Sequence, residues 1–544
     1  MLMRAPLKSN RARAKVVGQA TVPAPVGGWD AESPLAAMPK DHAVTLENWF
    51  PRPGYVEVRR GHQYHAWDAG TTQVETLMVW QGRSSSKLFA AETDTIYDVT
   101  TKGQATSSVS SLTDPYWQWV NFTNSGADYL YIVNGADAPR HYNGTTWATP
   151  SITGITPTDC VHINVHKKRI WFTLLNSTSA AYLATDAISG AATTFELGSN
   201  FDRGGYLMAM ATWTRDGGSG ADDYAVFISS RGQLAIYQGT DPDSAVTWSL
   251  IGVFDIAAPI GRRCFQRYGN DLLIITVEGV YALSSILAVD TASQQRLSVT
   301  QRITNAMTTA ARSYATNQGW QLCVYPKGTM LILNVPTAEF VSADQYVMNT
   351  LTGAWCKFTN QNAVCWVEYE NDVYFGGVAG DVYKADTGGA DVATPITATG
   401  ETAYDAYRNP GQTKRWTAMQ ALVLADGGNF PSLGVSVDFS STSNLSTVSS
   451  ETFNESGVWD SAIWDTDIWS APATRFNDWT SPTAFGKFGS VKFRAQTGIS
   501  SETGEAAYWG ISSWGDAWSD NAHQADDVMQ INGFVITYET GDYY

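Results

Sequence analysis

The side chains that could do chemistry in this 544-residue chain are thinly spread and mostly sit beside turns. His162 and His166 stand at i and i+4. On an extended strand they share one face, and they could hold a metal only if the sheet bent or a third ligand converged on them. Lys167 beside them and the run Ile170, Trp171, Phe172 make a strand edge the plainer reading. Carboxylates occur in pairs at Asp222/Asp223, Asp241/Asp243, Asp465/Asp467 and Asp526/Asp527. Two carboxyls in one cleft with divergent pKa values would do general acid–base work on a glycosidic bond, but proximity in sequence does not build that cleft. Asp241-Pro242-Asp243 reads better as a turn, since Asp supplies side-chain acceptors and Pro a preset φ. Arg262 and Arg263 could clamp a phosphate or carboxylate with their planar forks, or bond backbone carbonyls and acidic neighbours. The segment VWDSAIWDTDIW places Trp459, Trp464 and Trp469 at five-residue intervals, with Trp479, Trp509, Trp514 and Trp518 following. Indoles so spaced could form an assembly interface, stack on sugar rings, or alternate across a strand as core.

The motifs that assemble catalytic or cofactor sites are missing: no GxxxxGK[ST] phosphate loop, no GxGxxG opening a helix, no HExxH, no GxSxG elbow, no EF-hand loop. The expectation is a protein without catalytic, cofactor-binding or metal-binding residues. Its rival is a glycan-binding or glycosidic function carried by the Trp residues and the paired carboxylates.

Apolar residues make 44% of the chain and aromatics 12%, while charged residues make 16% against about 25% in an average soluble protein. That composition excludes a disordered chain. Uncharged apolar stretches such as 421–425 and 272–277 fall far short of the roughly 18 residues of a membrane-spanning helix, so no membrane insertion is expected. The net charge is −17, yet the first 24 residues carry Arg4, Lys8, Arg11, Arg13 and Lys15 with no acid, so the remainder is more acidic than the total. An acidic body repels a phosphate backbone, which argues against tight nucleic-acid binding by the folded part. The basic head lacks the apolar stretch of about 7–15 residues of a secretion signal and reads as an extended arm, with its five cations as candidate assembly contacts. Five cysteines, an odd number with no CxxC, point to buried free thiols and folding in a reducing cytoplasm.

These residues must be held by strands. Apolar runs closed by Gly, Asp or Asn and followed by a second apolar run start at Lys87, Tyr129, Lys168, Tyr224, Asp271, Thr329 and Asp372. Each is a hairpin. Their mean spacing of about 47 residues matches a four-stranded propeller blade, so the chain should be all-β, a β-propeller of six or seven blades. One helix is expected near 301–315, where Ile303, Ala306, Met307, Ala310, Ala311 and Tyr314 keep a helical rhythm. Beyond residue 393 the pattern changes to strict alternation, as in Leu433, Val435, Val437 and Phe439, or Val491, Phe493 and Ala495. That period implies sheets with one wet face, as in a sandwich. The expected organisation is a basic arm (1–26), a linker with first strands (27–70), the propeller (71–393) and a Trp-rich, sandwich-like β module (394–544).

The stretch GGWDAESPLAAMPKDHAVTLENWFPRPGYVEVRRG (residues 27–61) resembles the opening of tail nozzle proteins of short-tailed bacteriophages, also called tail tubular protein B or tail hub proteins, with their Gly-Gly segment, Asn-Trp pair and strand ending in Arg-Gly. DDYAVFISSRGQLAIYQGTDP (222–242), GVFDIAAPIGRRC (252–264), QYVMNTLTGAWCKF (345–358) and the Trp-Asp repeat around Trp459 are similar to the same family, and specificity rests on their order along the chain. The resemblance implies a virion structural protein: a homo-hexameric ring below the portal and its adaptor, carrying spikes, fibres or a needle, assembled in the host cytoplasm, and conducting double-stranded DNA without gripping it. Loops around Asp216, Asp222, Asp223, Asp241 and Asp243 are then candidates for the channel wall, whose like charge would keep the passing duplex from forming counterion-releasing contacts.

Overall fold

A run that is apolar at every position, not at every second one, belongs to a strand covered on both faces. That is how the seven hairpins are used. A computed structural model of the chain describes residues 16–216, 221–287, 297–408, 410–425, 431–440, 445, 474–476, 479–498 and 529–540. In it each hairpin forms the second and third strands of its own antiparallel blade. Blade one is Thr76–Gln81, Ser86–Glu92, Thr95–Asp98 and Thr106–Val109, and blade two is Gln118–Thr123, Asp128–Val133, Arg140–Tyr142 and Trp147–Ala148. Blade three is Cys160–His166, Arg169–Leu174, Ser179–Tyr182 and Thr193–Glu196, and blade four is Leu207–Asp216, Ala221–Ser229, Gln233–Gly239 and Trp248–Asp255. Blade five has three described strands, Phe265–Tyr268, Asp271–Thr276 and Gly279–Ala282. Blade six is Gln321–Tyr325, Met330–Ala338, Ser342–Asn349 and Trp355–Phe358, and blade seven is Cys365–Tyr369, Asp372–Gly376 and Val382–Ala385, completed by His62–Trp67.

First strands of successive blades lie side by side, and that of blade seven lies against that of blade one, which closes the ring. The apolar clusters follow the same order, one for each seam except that between blades six and seven, whose residues merge with the core of the attached module. Leu130 and Ile132 of blade two face Met78 and Phe89 of blade one, while Tyr131 and Val133 of the same strand face Ile163 and Phe172 of blade three. Leu272 and Ile274 likewise face blade four, and Leu273 and Ile275 face blade six. The last seam joins Cys365, Val367 and Tyr374 to Val74, Leu77 and Leu88. The architecture is a seven-bladed β-propeller. Between blades five and six the chain forms a helix, Thr304–Tyr314, which buries Met307, Ala310 and Ala311 in the seam.

The ring is tied shut by sequence-distant strands. His62–Trp67 pairs antiparallel with Val382–Ala385, so blade seven takes its outermost strand from the N-terminal part of the chain. That strand is covered further by short parallel pairings with Gly103–Gln104 and Ala390–Asp391.

A two-sheet module is attached to blades six and seven. One sheet carries His42–Glu47, Thr394–Thr402, Gly489–Thr497 and Ser432–Val437. It is continuous with blade six, because Glu47 pairs in parallel with Lys357 of the strand Trp355–Phe358. The other carries Lys414–Ala425 and Met529–Thr540, flanked by Val16–Pro23, by the hairpin Trp49–Arg52 and Tyr55–Val58, and by two short strands. Alternating side chains meet between them: Ile396, Ala398, Val491 and Phe493 from one sheet, Met419, Ala421, Phe534 and Ile536 from the other. Residues 16–58 and the described residues of 394–540 therefore build this module together, and 62–67 belong to the propeller.

At the junction the polar groups are buried and paired. Arg59 forks onto Asp391 (Nη1–Oδ1 2.8 Å, Nη2–Oδ2 2.6 Å) and donates from Nε to Asn48 Oδ1 and from Nη2 to the Thr359 carbonyl. His62 Nδ1 lies 3.0 Å from Asp391 Oδ1. Burial alone would raise the Asp391 carboxyl, but the bonds from Arg59 and His62 outweigh it and hold it below the ordinary carboxylate range. Gly61 follows because a Cβ there would stand 1.8 Å from the Ala390 carbonyl oxygen, which no other residue type avoids.

Candidate functional site

The concavity that a propeller offers is its axis, where the first strands converge. In this chain one end of the axis is spanned by two arginines. Ile260 and Cys264 are both tied to blade five, Ile260 N–H donating to the Ile275 carbonyl and Ile275 N–H to that of Cys264. Residues 261–263 loop out between them, Gly261 taking φ 69°. From that loop Arg263 reaches the opposite side of the ring. Its Nη1 donates to the Glu75 carbonyl (3.1 Å), and its Nη2 to Thr76 Oγ1 (2.7 Å) and to the Trp117 carbonyl (3.1 Å). The guanidinium lies 4.4 Å from the Tyr116 ring centre. Arg262 donates to the Asn134 carbonyl at 3.1 Å. Two adjacent residues of blade five thus fasten blades one and two, using the backbone-carbonyl option open to paired guanidinium groups.

His162 and His166 lie on the first strand of blade three. Burial, then the charge of Arg262, push the His162 imidazole down to about 3. Burial and the charge of Lys167 push His166 down to about 4, against the opposing charge of Asp223. Both rings are neutral near pH 7. His166 Nδ1 is 3.2 Å from Thr212 Oγ1, and the Thr212 hydroxyl donates to the Val165 carbonyl, so these groups join blade three to blade four. The cation beside His162 opposes a metal there, and among the described residues no three His, Cys, Asp or Glu side chains converge as ligands. Amide side chains clasp other seams: Asn121 donates to the Val79 carbonyl, and Gln321 to that of Trp366. The five cysteines are free and buried, and burial raises the thiols of Cys160, Cys264 and Cys323 to about 12.

Three of the carboxylates singled out from the sequence, Asp223, Asp241 and Asp243, gather in one seam. Lys167 Nζ donates to Asp223 at 2.8 Å, with Thr214 Oγ1 on the other oxygen. Arg169 donates to Asp241 at 3.1 Å, and the Tyr182 hydroxyl donates to Asp243. Burial would raise Asp223, but the bonds from Lys167 and Thr214 keep it below the ordinary range. Three acids of blade four are therefore staples onto blade three. The backbones of Asp216 and Asp222 lie in the blade-four hairpin, Asp216 opposite Ala221 and Asp222 opposite Arg215. Arg4, Lys8, Arg11, Arg13, Lys15, Trp459, Trp464 and Trp469 lie outside the described residues, as do Asp465/Asp467 and Asp526/Asp527. Trp479 is described and is 48% exposed. The buried hub of Arg59, Asp391 and Asn48 had no signature in the sequence beyond the Arg-Arg-Gly run that contains its cation.

No family model and no curated protein matches the chain. Solved structures similar to it include a BBS1N chain in complex with ARL6DN (14% identity, 37% of this chain and 62% of that one, TM-score 0.26). They also include the computationally designed Ika8 protein (9%, 60% and 100%, TM-score 0.34) and the Cps50 (Swd1) β-propeller domain of Myceliophteria thermophila (12%, 60% and 99%, TM-score 0.38). The chain spans 62% of the length of the BBS1N chain it matches. The propeller stands on the closed ring of sheets and its seven seams.

Proposed function

We propose that this chain is a structural subunit of the tail nozzle of a short-tailed phage, without enzymatic activity, forming a homo-hexameric ring that prolongs the portal and adaptor channel and bears spikes, fibres or a needle. The observation that carries the reading is the bridged propeller axis. One end of the axis, where a propeller could hold a small substrate, is instead spanned by Arg262 and Arg263, whose forks are engaged by carbonyls and a hydroxyl of blades one and two. A propeller fastened in this way is a rigid wedge, and a conduit for a duplex must then be made between copies. The ordered segments at 27–61, 222–242, 252–264 and 345–358 supply the family direction, and the first of them is the stretch that runs through the module into the closing strand of blade seven. The net charge of −17 favours passage over binding, since like charge prevents tight contact with phosphates.

Electron microscopy of the purified full chain with the adaptor, and of virions labelled for this chain, tests the reading. Sixfold rings on the tail axis are expected. A monomer that degrades or binds host polysaccharide, with no place on the tail axis, would overturn it in favour of the glycan-active rival.

A further inference from the structure

The outer edges of the blades differ in one respect that bears on assembly. Blade one ends in Thr106–Val109 and blade three in Thr193–Glu196, both short and largely polar, and blade two in only the two residues Trp147–Ala148. Blade six is continued by the module and blade seven is covered on its outer strand. Blade four ends in Trp248–Asp255, eight residues whose outer edge pairs with no strand among the described residues. Leu250 is 42% exposed, Ile251 50% and Val253 38%, and Val246 in the preceding loop is 94% exposed. A long apolar edge with open N–H and C=O groups is a template for strand addition, and proteins normally blunt it with charge, Pro or cover.

Asp241 and Asp243 flank one end of this edge and Asp255 stands at the other; Asp241 is paired with Arg169 and Asp255 with Arg203, while Asp243 accepts only from the neutral Tyr182 hydroxyl among the side-chain bonds described. The complementary segment is in the same chain. Residues 1–15 carry five cations and no acid, and they end in Arg11-Ala12-Arg13-Ala14-Lys15, which alternates basic and small side chains with the period of a strand. Fifteen residues extend to about 50 Å, against about 26 Å for the eight-residue edge. They lead directly into Val16–Pro23, in the module attached to blades six and seven, two and three places round the ring from blade four. A neighbouring copy is therefore the better source of the arm.

We infer that the arm of one copy of this chain adds as a fifth strand to the outer edge of blade four of the next copy, at Trp248–Asp255. The ladder supplies affinity, and the net negative charge of the folded body favours a basic peptide. The inference needs only a second copy and does not depend on the nozzle reading.

Two full-length variants, Ala12→Cys and Ser249→Cys, are mixed in equimolar amounts and oxidised. The five native cysteines are buried, so the introduced thiols are the accessible ones. The expected product is a disulfide-linked heterodimer whose yield falls several-fold from about 0.05 M to about 0.5 M salt, while Thr194→Cys on the polar edge of blade three gives little. Absence of the cross-link, an equal yield at Thr194→Cys, or a predominant Ser249→Cys homodimer would each overturn the inference. A second measurement uses exposed positions that leave the core untouched. Ile251→Lys with Val253→Lys in the full chain should weaken self-association in sedimentation by about tenfold or more, and unchanged association counts against the site.

Discussion

At the junction of propeller and module, Arg59 meets Asp391 with side chains 1% and 7% exposed, whereas in the seam between blades three and four Lys167 meets Asp223 at 29% and 31%. Both pairs join parts of the chain that are distant in sequence, and both pull a carboxyl below its ordinary range. The difference is solvent. At the junction each oxygen of Asp391 is held by its own guanidinium nitrogen, and Asn48 and the Thr359 and Arg60 carbonyls take the remaining donors, so removing one partner strands a charge where water does not reach it. In the seam water can replace whichever partner is lost, and salt screens what remains. Burial, more than the count of ion pairs, decides which contact the fold depends on.

Arg59 is the position where the junction is most vulnerable. Arg59→Ala should cost about 3–5 kcal/mol of stability in urea unfolding followed by tryptophan fluorescence, since it leaves Asp391 charged and buried; a loss no larger than that of an exposed pair would refute the distinction. Next comes the axial bridge. Arg263→Ala removes three charged hydrogen bonds across the ring and should cost about 2–3 kcal/mol in the same assay. Arg263→Lys should recover little of it, because an ammonium cannot fork onto acceptors from two blades.

Acid titration sharpens the comparison within the junction itself. Asp391 has a folded pKa below its unfolded value near 3.9, so its stabilisation is present above about pH 4 and disappears as pH falls through the folded value. Asp386, four residues before Ala390, carries the opposite sign: burial pushes it up despite the charge of Arg60 and the bond from Tyr325. Its ionised form is penalised at neutral pH, and the penalty fades on acidification. Asp391→Asn should therefore lose stability at pH 7 and converge on the parent in acid. Asp386→Asn should be as stable as the parent or more so at pH 7, since Asn tolerates the φ of 57° there. Melting temperatures between pH 3 and pH 7 would show two curves of opposite slope; parallel curves would remove the assigned signs. The smallest effect belongs to Lys167→Ala, expected at under about 1 kcal/mol and shrinking further in high salt.

The blades were legible because each second strand is apolar on both sides. Leu130, Tyr131, Ile132 and Val133 fill two different seams, so the run has no polar gaps and stands out in the sequence. The module strands were legible for the complementary reason, since Val491, Phe493 and Ala495 face a core while Lys492 and Arg494 do not. The helix expected near 301–315 spans Thr304–Tyr314 after a short turn at Gln301–Ile303. Residues 27–70 were harder to read. His42–Glu47 and the hairpin at 49–58 are strands of the module, and His62–Trp67 belongs to blade seven, because their partners lie more than 300 residues further on. The acids around Asp223 were visible as charges, but their engagement by Lys167, Arg169 and Tyr182 depends on how blade three sits against blade four.

What this sequence determined alone is local: which segments are strands, which strands have one wet face and which have none, where the turns fall, and how the charge divides between arm and body. The number of seams that close the ring, the strand that locks it, and the reach of Arg263 to Thr76 across the axis were decided by tertiary structure. The physical reason is that periodicity along a chain records how each strand is buried, whereas a contact such as Arg59 with Asp391, 332 residues apart, exists only after the chain has closed a long loop and two finished surfaces have met.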